Sequence, residues 1–231
     1  VRSRRQRQMC IRDSKYPGIN TIIDGFENLK ELDHYDLTIS NIPFGDLNVY
    51  DKSLNNYKHL FKSRIHNYFF LKAINVTKPG GLIAFITSTG FTDSRSSSEL
   101  REYLLKRSNL ISAIRLHNQT FKSEGTLVTS DIIVLQKTNT LKNELSYDES
   151  LFVKSNEITI NDHKHYLNAY FDENREQLTG PIEEYIFHNA KKLTVTDADF
   201  PNINDLGEFI NQQLTQNPVS YTHLRAHETR H

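Results

Sequence analysis

The chain has 231 residues, a formal net charge of zero, a single cysteine and no tryptophan. This length suits an α/β domain with a substantial hydrophobic core. One cysteine excludes a framework of internal disulfides. The sequence also lacks an apolar run of the roughly 18 residues that a membrane-spanning helix needs.

The two ends of the chain resemble translated sequencing adapters. "RRQRQMCIRDS" reads as one frame of a transposase-type adapter, and "VSYTHLRAHETRH" reads as the opposite strand of its partner adapter. We therefore interpret residues 1–14 and 218–231 as adapter-derived and exclude them from fold reasoning. The remaining segment, 15–217, has 21 basic and 26 acidic residues, hence a net charge of −5, and no cysteine. We expect it to be an internal piece of a longer protein, without a general DNA-binding field of its own.

Between residues 15 and 138, hydrophobic spacing predicts strands interleaved with helices. The predicted strands are 19–24, 35–40, 82–87, 110–116 and 131–137, and the predicted helices are 64–76 and one that begins within 96–107. A tight turn is expected at "KPGG" (78–81), and Ser96 and Glu99 have the spacing of a capping box. This order predicts the second half of a doubly wound α/β sheet that ends in an antiparallel strand.

The pattern weakens after residue 138. Residues 161–174 have short helical character, and 183–193 and 204–214 are candidate helices. We treat 139–217 as an appended region whose role the sequence does not state.

The stretch "YDLTISNIPFGDL" (35–47) ends a predicted strand on an unusual combination of residues. Asn41 offers a carbonyl acceptor and an amide donor. Pro43 redirects the chain, so the carbonyl of Ile42 is expected to leave the strand ladder. Phe44 supplies a ring that can stack on a planar group, and Gly45 permits close approach. Two acceptors beside an aromatic ring suit a planar ligand that bears an exocyclic amine.

"SNIPFG" (40–45) resembles the Asn/Asp-Pro-Pro-Tyr/Phe motif of adenine-specific DNA methyltransferases. "FFLKAINVTKPGGLIAFITSTG", "LREYLLKRSNLISAIRLHNQTF" and "GTLVTSDIIVLQK" follow in an order that resembles type I modification subunits and, more closely, large methylases of bacterial mobile elements. The resemblance covers about residues 19–138. It implies a Rossmann-like fold that uses S-adenosyl-L-methionine, with 15–138 forming the C-terminal half of the catalytic domain.

The resemblance also implies roles for individual residues. Asn41 and the carbonyl of Ile42 would bind the target amine, Pro43 would fix the turn, and Phe44 would stack on an adenine flipped out of the duplex. Methyl transfer would be direct and in line, with no covalent enzyme intermediate. Ile42 stands where the family pattern most often has proline, and the carbonyl survives that change. The glycine-rich loop for the methyl donor would lie upstream of this fragment, which alone would then be inactive.

Other candidate residues have both a functional and an ordinary interpretation. Asp24 follows the first predicted strand and would face the adenine of the cofactor, or it closes a turn. Lys52, Lys58, Lys62 and Arg64 would contact DNA phosphates, or they belong to a solvated loop. His163 and His165 have ligand-like spacing, but no partner ligands stand nearby in the sequence, so we expect no metal.

Two other functions remain open at this stage. Methyltransferases that act on guanine in RNA or on glutamine in proteins use similar motifs, and a non-catalytic DNA-recognition or scaffold module derived from such an enzyme is also compatible with Ile42. The resemblance implies a cytoplasmic location in a bacterium, DNA as partner, and helicase, nuclease or specificity modules in the same chain or complex. No membrane association is expected.

Overall fold

The structure is a computed structural model that describes residues 24–43, 49–61, 64–187, 190–196 and 203–216. The first part of the chain forms strands β1 (Tyr35–Asn41), β2 (Thr77–Ser88), β3 (Ser108–Leu116) and β4 (Ser130–Lys137), and helices α1 (Lys58–Phe61), α2 (Ile65–Val76), α3 (Thr89–Thr92) and α4 (Ser98–Leu105). Short 3-10 helices span Phe26–Asn28, Lys52–Tyr57, Arg95–Ser97 and Lys122–Glu124. The strand predicted at 19–24 lies outside the described residues, apart from Asp24.

The second part of the chain is a mixture of short helices and hairpins. It comprises α5 (Tyr147–Val153), β5 (Ser155–Ile160), β6 (His163–Asn168), α6 (Ala169–Glu173), a 3-10 turn (Arg175–Gln177), β7 (Ile182–Phe187), β8 (Ala190–Val195) and α7 (Ile203–Gln216). β5 pairs with β6 and β7 pairs with β8, both antiparallel. Within the described part of the chain, no helix is long and apolar enough to cross a membrane.

Four strands form a mixed sheet in the order β1-β2-β4-β3. β1 and β2 run parallel, and β4 runs antiparallel to both β2 and β3. A mixed α/β fold with a terminal antiparallel strand is therefore confirmed. Because parallel strands end at the same edge, Asn41 at the end of β1 lies opposite Ile86, two residues before β2 ends.

One face of the sheet carries the main hydrophobic core. α2 is buried nearly all round, and its Phe70 ring stacks on Phe91 at a centroid distance of 4.0 Å and contacts Phe85 edge-on. The same continuous core includes Phe152, Leu167, Tyr170 and Phe171 from the region after residue 138. Aromatic side chains of this kind contribute large buried areas. The appended region therefore supplies part of the core that supports the sheet.

The opposite face of the sheet is covered unevenly. α7 packs its Leu206 against Ile114 and Leu116 of β3. On β1, at the other edge of the sheet, Leu37 is 52% exposed and Ile39 is 71% exposed.

Three local predictions were wrong. "KPGG" is assigned to β2 rather than to a separate turn, although the pairing with β1 jumps from Thr77 to Leu82 and Gly80 adopts a φ of 81°. The N-cap of α4 is Ser97 without a side-chain capping bond, so the predicted Ser96–Glu99 box does not form.

The third error lies at 183–193, where the structure has the β7–β8 hairpin instead of a helix. The short helical character predicted for 161–174 corresponds only to α6, because β6 occupies His163–Asn168. The helix predicted at 204–214 is confirmed as α7.

Candidate functional site

The motif stands at the end of the edge strand β1. Asn41 is its last residue and is exposed, whereas the Ile42 side chain is 1% exposed and belongs to the core. The backbone N–H of Ile42 donates to the carbonyl of Ile86 at 2.9 Å. Proline has no N–H and could not make this bond. Ile42 thus extends the ladder by one residue and anchors the strand end that presents Asn41. Pro43 follows and is exposed, and Phe44 lies outside the described residues.

The neighbouring strand β2 ends beside the start of α2. Ser88 Oγ lies 3.5 Å from Nδ1 of His66, the second residue of α2. The Nη1 group of Arg64 donates to the carbonyl of Gly90 at 3.4 Å. Arg64 is therefore the one predicted DNA-contacting residue whose described contacts place it at the carboxyl edge of the parallel strands.

The segment after the motif is held by a buried ion pair that the sequence analysis missed. Asp51 Oδ2 accepts from Lys72 Nζ at 2.8 Å and from Tyr68 Oη at 3.1 Å, and Oδ1 accepts from Ser53 N at 2.8 Å. We call these four residues the Asp51 cluster. The side chains of Asp51 and Lys72 are 2% and 4% exposed. Burial alone would raise the pKa of Asp51, but the hydrogen bonds from Lys72 and Ser53 outweigh it and hold the pKa below its usual value.

The remaining predicted DNA-contacting residues of this segment lie on its surface. Lys52 and Lys58 are exposed, and Lys58 Nζ lies 5.2 Å from the ring centroid of Tyr50. Tyr50 itself is 63% exposed. Lys62 lies outside the described residues. The structure does not bring Lys52 or Lys58 into direct contact with Asn41.

A second buried cluster joins the sheet to the region after residue 138. Arg115 donates to Asp131 through Nε at 2.8 Å and Nη2 at 3.0 Å, and Nη2 also donates to Asp93 Oδ1 at 2.9 Å. Thr92 Oγ1 donates to Asp131 and accepts from Arg115. These four residues form the Arg115 cluster.

The Arg115 cluster is also tied to Asn168, the last residue of β6 and the N-cap of α6. The backbone N–H of Asn168 donates to Asp93 at 2.9 Å, and its side-chain amide donates to the carbonyl of Thr92 at 2.8 Å. Burial raises the pKa of Asp93 despite the opposing charge of Arg115, and the charge of Asp131 raises it further. The sequence signal for this cluster is Arg115 near the end of the run "LISAIRL" and Asp131 directly before the apolar run "IIVL".

Asp24 and the two histidines have local partners. Asp24 Oδ1 accepts from Gly25 N and Asn28 Nδ2, each at 2.7 Å, so Asp24 closes a turn. His165 Nε2 lies 2.7 Å from Glu184 Oε2, and His163 Nδ1 lies 3.1 Å from the same oxygen. Within the described part of the chain, no group of three or more His, Cys, Asp or Glu side chains is arranged to hold a metal ion.

Comparison with known proteins assigns this architecture to a family. The mixed α/β sheet and the strand-end motif agree with the methyltransferase resemblance of the sequence. Residues 5–121, just over half of the chain, match the Eco57I restriction-modification methylase family, and the chain belongs to that family. The match begins inside residues 1–14, which we predict to be adapter-derived. Sequencing the parent gene would test that prediction.

Individual relatives are more distant. The "Defense against restriction protein B" of Escherichia phage P1 is 27% identical over 106 residues, which cover 46% of this chain and 5% of that protein. The type I restriction enzyme EcoKI M protein is 14% identical, with 80% of this chain and 49% of that chain covered and a TM-score of 0.39. A protein of Listeria monocytogenes described as a class I S-adenosylmethionine-dependent methyltransferase is 21% identical, with 52% and 38% covered and a TM-score of 0.39. At these scores the two structures carry no argument about function.

Proposed function

We propose that this chain is part of an enzyme that methylates the exocyclic amine of adenine in DNA, with S-adenosyl-L-methionine as methyl donor. The observation that supports it best is the geometry of the strand end, where Asn41 is exposed while Ile42 is anchored by the core and by its bond to Ile86. A fixed backbone beside an open amide suits the positioning of a planar ligand. Family membership supports the same reaction class.

In this proposal the residues of the chain act by positioning. The Asn41 side-chain carbonyl and the Ile42 backbone carbonyl accept the two amine hydrogens, which directs the nitrogen lone pair out of the ring plane. Phe44 stacks on the base, which must leave the duplex to be reached. The donor supplies the methyl group when bound. Asp24 accepts two hydrogen bonds within its own turn, and a position of Asp24 facing the adenine of the donor stays part of the proposal.

The partners and location belong to the same proposal. We propose DNA as the substrate and cytoplasmic action in a bacterium, together with helicase, nuclease or specificity modules in the parent protein or its complex. The chain spans only 5% of the curated relative that it matches.

The test is methyl transfer by the full-length protein expressed from the parent gene. DNA is incubated with radiolabelled donor, and the modified nucleoside is identified by mass spectrometry. We expect methylated adenine, and we expect Asn41→Ala to lower the rate by roughly 10²- to 10³-fold, as loss of one preorganised hydrogen-bonding group does. Asn156→Ala, which alters an exposed amide bonded to Asp172, is the matched control.

Each other result has a defined meaning. Equal rates for Asn41→Ala and the parent protein would remove Asn41 from the mechanism. Methylated guanine in RNA or methylated glutamine in protein would reassign the substrate. Absence of transfer to any of these acceptors would favour the non-catalytic module.

A further inference from the structure

An exposed aromatic side chain follows the motif on a backbone that is held on both sides. Tyr50 is 63% exposed, whereas its neighbour Val49 packs against the core and its other neighbour Asp51 is 2% exposed. The exposure of Tyr50 is therefore imposed by two anchored neighbours. An exposed tyrosine on a fixed backbone suits a binding surface, because such a ring loses little conformational entropy on contact.

A cation lies beside this ring. Asp51 is the sole acidic residue between 49 and 64, and its carboxylate is buried and paired with Lys72. Lys52, Lys58 and Arg64 thus face no acid from their own segment, and Lys58 Nζ lies over the Tyr50 ring. The ammonium occupies one side of the ring, which leaves the other side for a ligand. An aromatic face beside cationic side chains is the recurring surface for single-stranded nucleic acid.

The position of this surface relates it to the motif. Asp51 bonds to Tyr68, which lies one helical turn from the start of α2. At that start, His66 lies 3.5 Å from Ser88 at the end of β2, and Arg64 bonds the carbonyl of Gly90 in α3. Through α2, the backbone beside Tyr50 is thus linked to the end of β2, the strand that pairs with β1 at Asn41.

We propose that Tyr50 stacks on an unpaired base of the DNA strand that carries the methylated nucleotide, while Lys58 and Lys52 contact phosphates of the same strand. This inference rests on the proposed function for the identity of the strand, and it adds a contact that the motif does not supply. Stacking on an aromatic side chain tolerates any base, so Tyr50 would hold the strand without setting the target sequence.

The absence of tryptophan makes the proposal directly measurable. Tyr50→Trp gives the full chain a single indole at the proposed surface. Tyr147→Trp is the matched control, since Tyr147 is 70% exposed at the start of α5. The probes are a thymidine oligonucleotide of about 16 nucleotides and inorganic tripolyphosphate, and oligonucleotide binding is followed independently by anisotropy of an end label.

We expect the oligonucleotide to quench the indole of Tyr50→Trp and to leave that of Tyr147→Trp unchanged. Tripolyphosphate should compete for binding without quenching, since it has no base. Equal quenching of both variants, quenching by tripolyphosphate, or no quenching at saturation would overturn the proposal. So would the absence of oligonucleotide binding at low salt.

Affinity measurements separate the contribution of the Tyr50 ring to oligonucleotide binding from that of the lysine charges. Tyr50→Ala should weaken oligonucleotide binding about tenfold, while Tyr50→Phe stays close to the parent chain. Lys58→Gln should reduce the salt slope of binding by about 0.7, and Lys164→Gln, at an exposed pair with Glu157, should not change it. These readouts need no methyl transfer. Quenching of Tyr50→Trp would stand even if the methylation test failed, and its absence would leave a positive methylation result intact.

Discussion

The two buried charge clusters differ in composition and therefore in what they do for the site. The Asp51 cluster contains one carboxylate and one ammonium, so its charges cancel. The Arg115 cluster sets one guanidinium against two carboxylates, Asp93 and Asp131, so it carries an excess negative charge. Burial raises the pKa of Asp93 and the charge of Asp131 raises it further, whereas hydrogen bonds from Lys72 and Ser53 outweigh burial and lower the pKa of Asp51.

The clusters also connect different parts of the chain. The Asp51 cluster joins the segment after the motif to α2, over a sequence distance of 21 residues between Asp51 and Lys72. The Arg115 cluster joins β3, β4 and α3 to the end of β6, through Asn168. The region after residue 138 is therefore held to the four-stranded sheet and its helices by buried charge as well as by the shared aromatic core.

The largest expected effect is the loss of the guanidinium from the Arg115 cluster. Arg115→Met leaves two buried carboxylates without their common partner, since the Arg115 side chain is 2% exposed and that of Asp131 is fully buried. Breaking a buried ion pair in this way lowers the free energy of unfolding by about 3–5 kcal/mol. We expect a loss at the upper end of this range, because two carboxylates lose their partner. Urea unfolding at neutral pH measures the loss.

The control for that change is Arg95→Met, at an exposed arginine that contacts the Tyr166 ring. It should cost no more than about 1 kcal/mol. If Arg115→Met were as mild as Arg95→Met, the Arg115 cluster would not stabilise the fold.

The second prediction breaks the balanced cluster. Asp51→Asn leaves the buried ammonium of Lys72 without a counter-charge, and we expect a loss of about 3 kcal/mol in the free energy of unfolding. Asp36→Asn removes an exposed partner of Lys78 and should cost about 0–1 kcal/mol. The double change Asp51→Leu with Lys72→Met should recover most of the loss, because no unpaired charge remains. A double variant as unstable as Asp51→Asn would show that the segment after the motif needs the ion pair itself.

The contrast between the two clusters also shows where sequence reasoning succeeds. The strands at 35–40, 110–116 and 131–137 and the helix at 64–76 are each recovered within two residues, because their apolar spacing is a local property. Asn41, Ile42 and Pro43 were recognisable because the motif is contiguous. The pairing of Arg115 with Asp131 was not, since it depends on the antiparallel register that sets these residues opposite each other.

Two local errors have the same origin in competing tertiary structure. A capping box forms at Ser146 and Glu149, with the same spacing as the predicted pair Ser96 and Glu99. At the predicted site, the neighbouring Ser97 instead donates to the side chain of Asn67 in α2, at 3.2 Å. The spacing of Ser and Glu is the same at both sites, so spacing alone does not predict which of them forms a capping box. The hairpin of β7 and β8 is rich in Glu and Lys, which favour helices in isolation, and strand pairing overrides that preference.

The smallest expected effect is on the pH dependence of stability, and it distinguishes the clusters by sign. The folded pKa of Asp51 lies below the ordinary value of 3.8, so its contribution is complete above pH 3.8 and is lost as the pH falls further. The folded pKa of Asp93 lies above 3.8, so the folded state binds this proton more tightly than the unfolded state. Asp93 therefore stabilises the fold progressively as the pH falls towards 3.8.

Asp93→Asn isolates this second contribution, because the amide oxygen can still accept from Arg115 and Asn168. Relative to the variant, the parent chain should gain about 1.4 kcal/mol for each unit by which the pKa of Asp93 is raised, as the pH falls through that pKa. Urea unfolding of both chains between neutral pH and pH 3.8 measures the difference. A difference that stays constant over this range would show that Asp93 keeps its ordinary pKa. In that case Arg115 would neutralise both carboxylates, and the two clusters would be electrostatically alike.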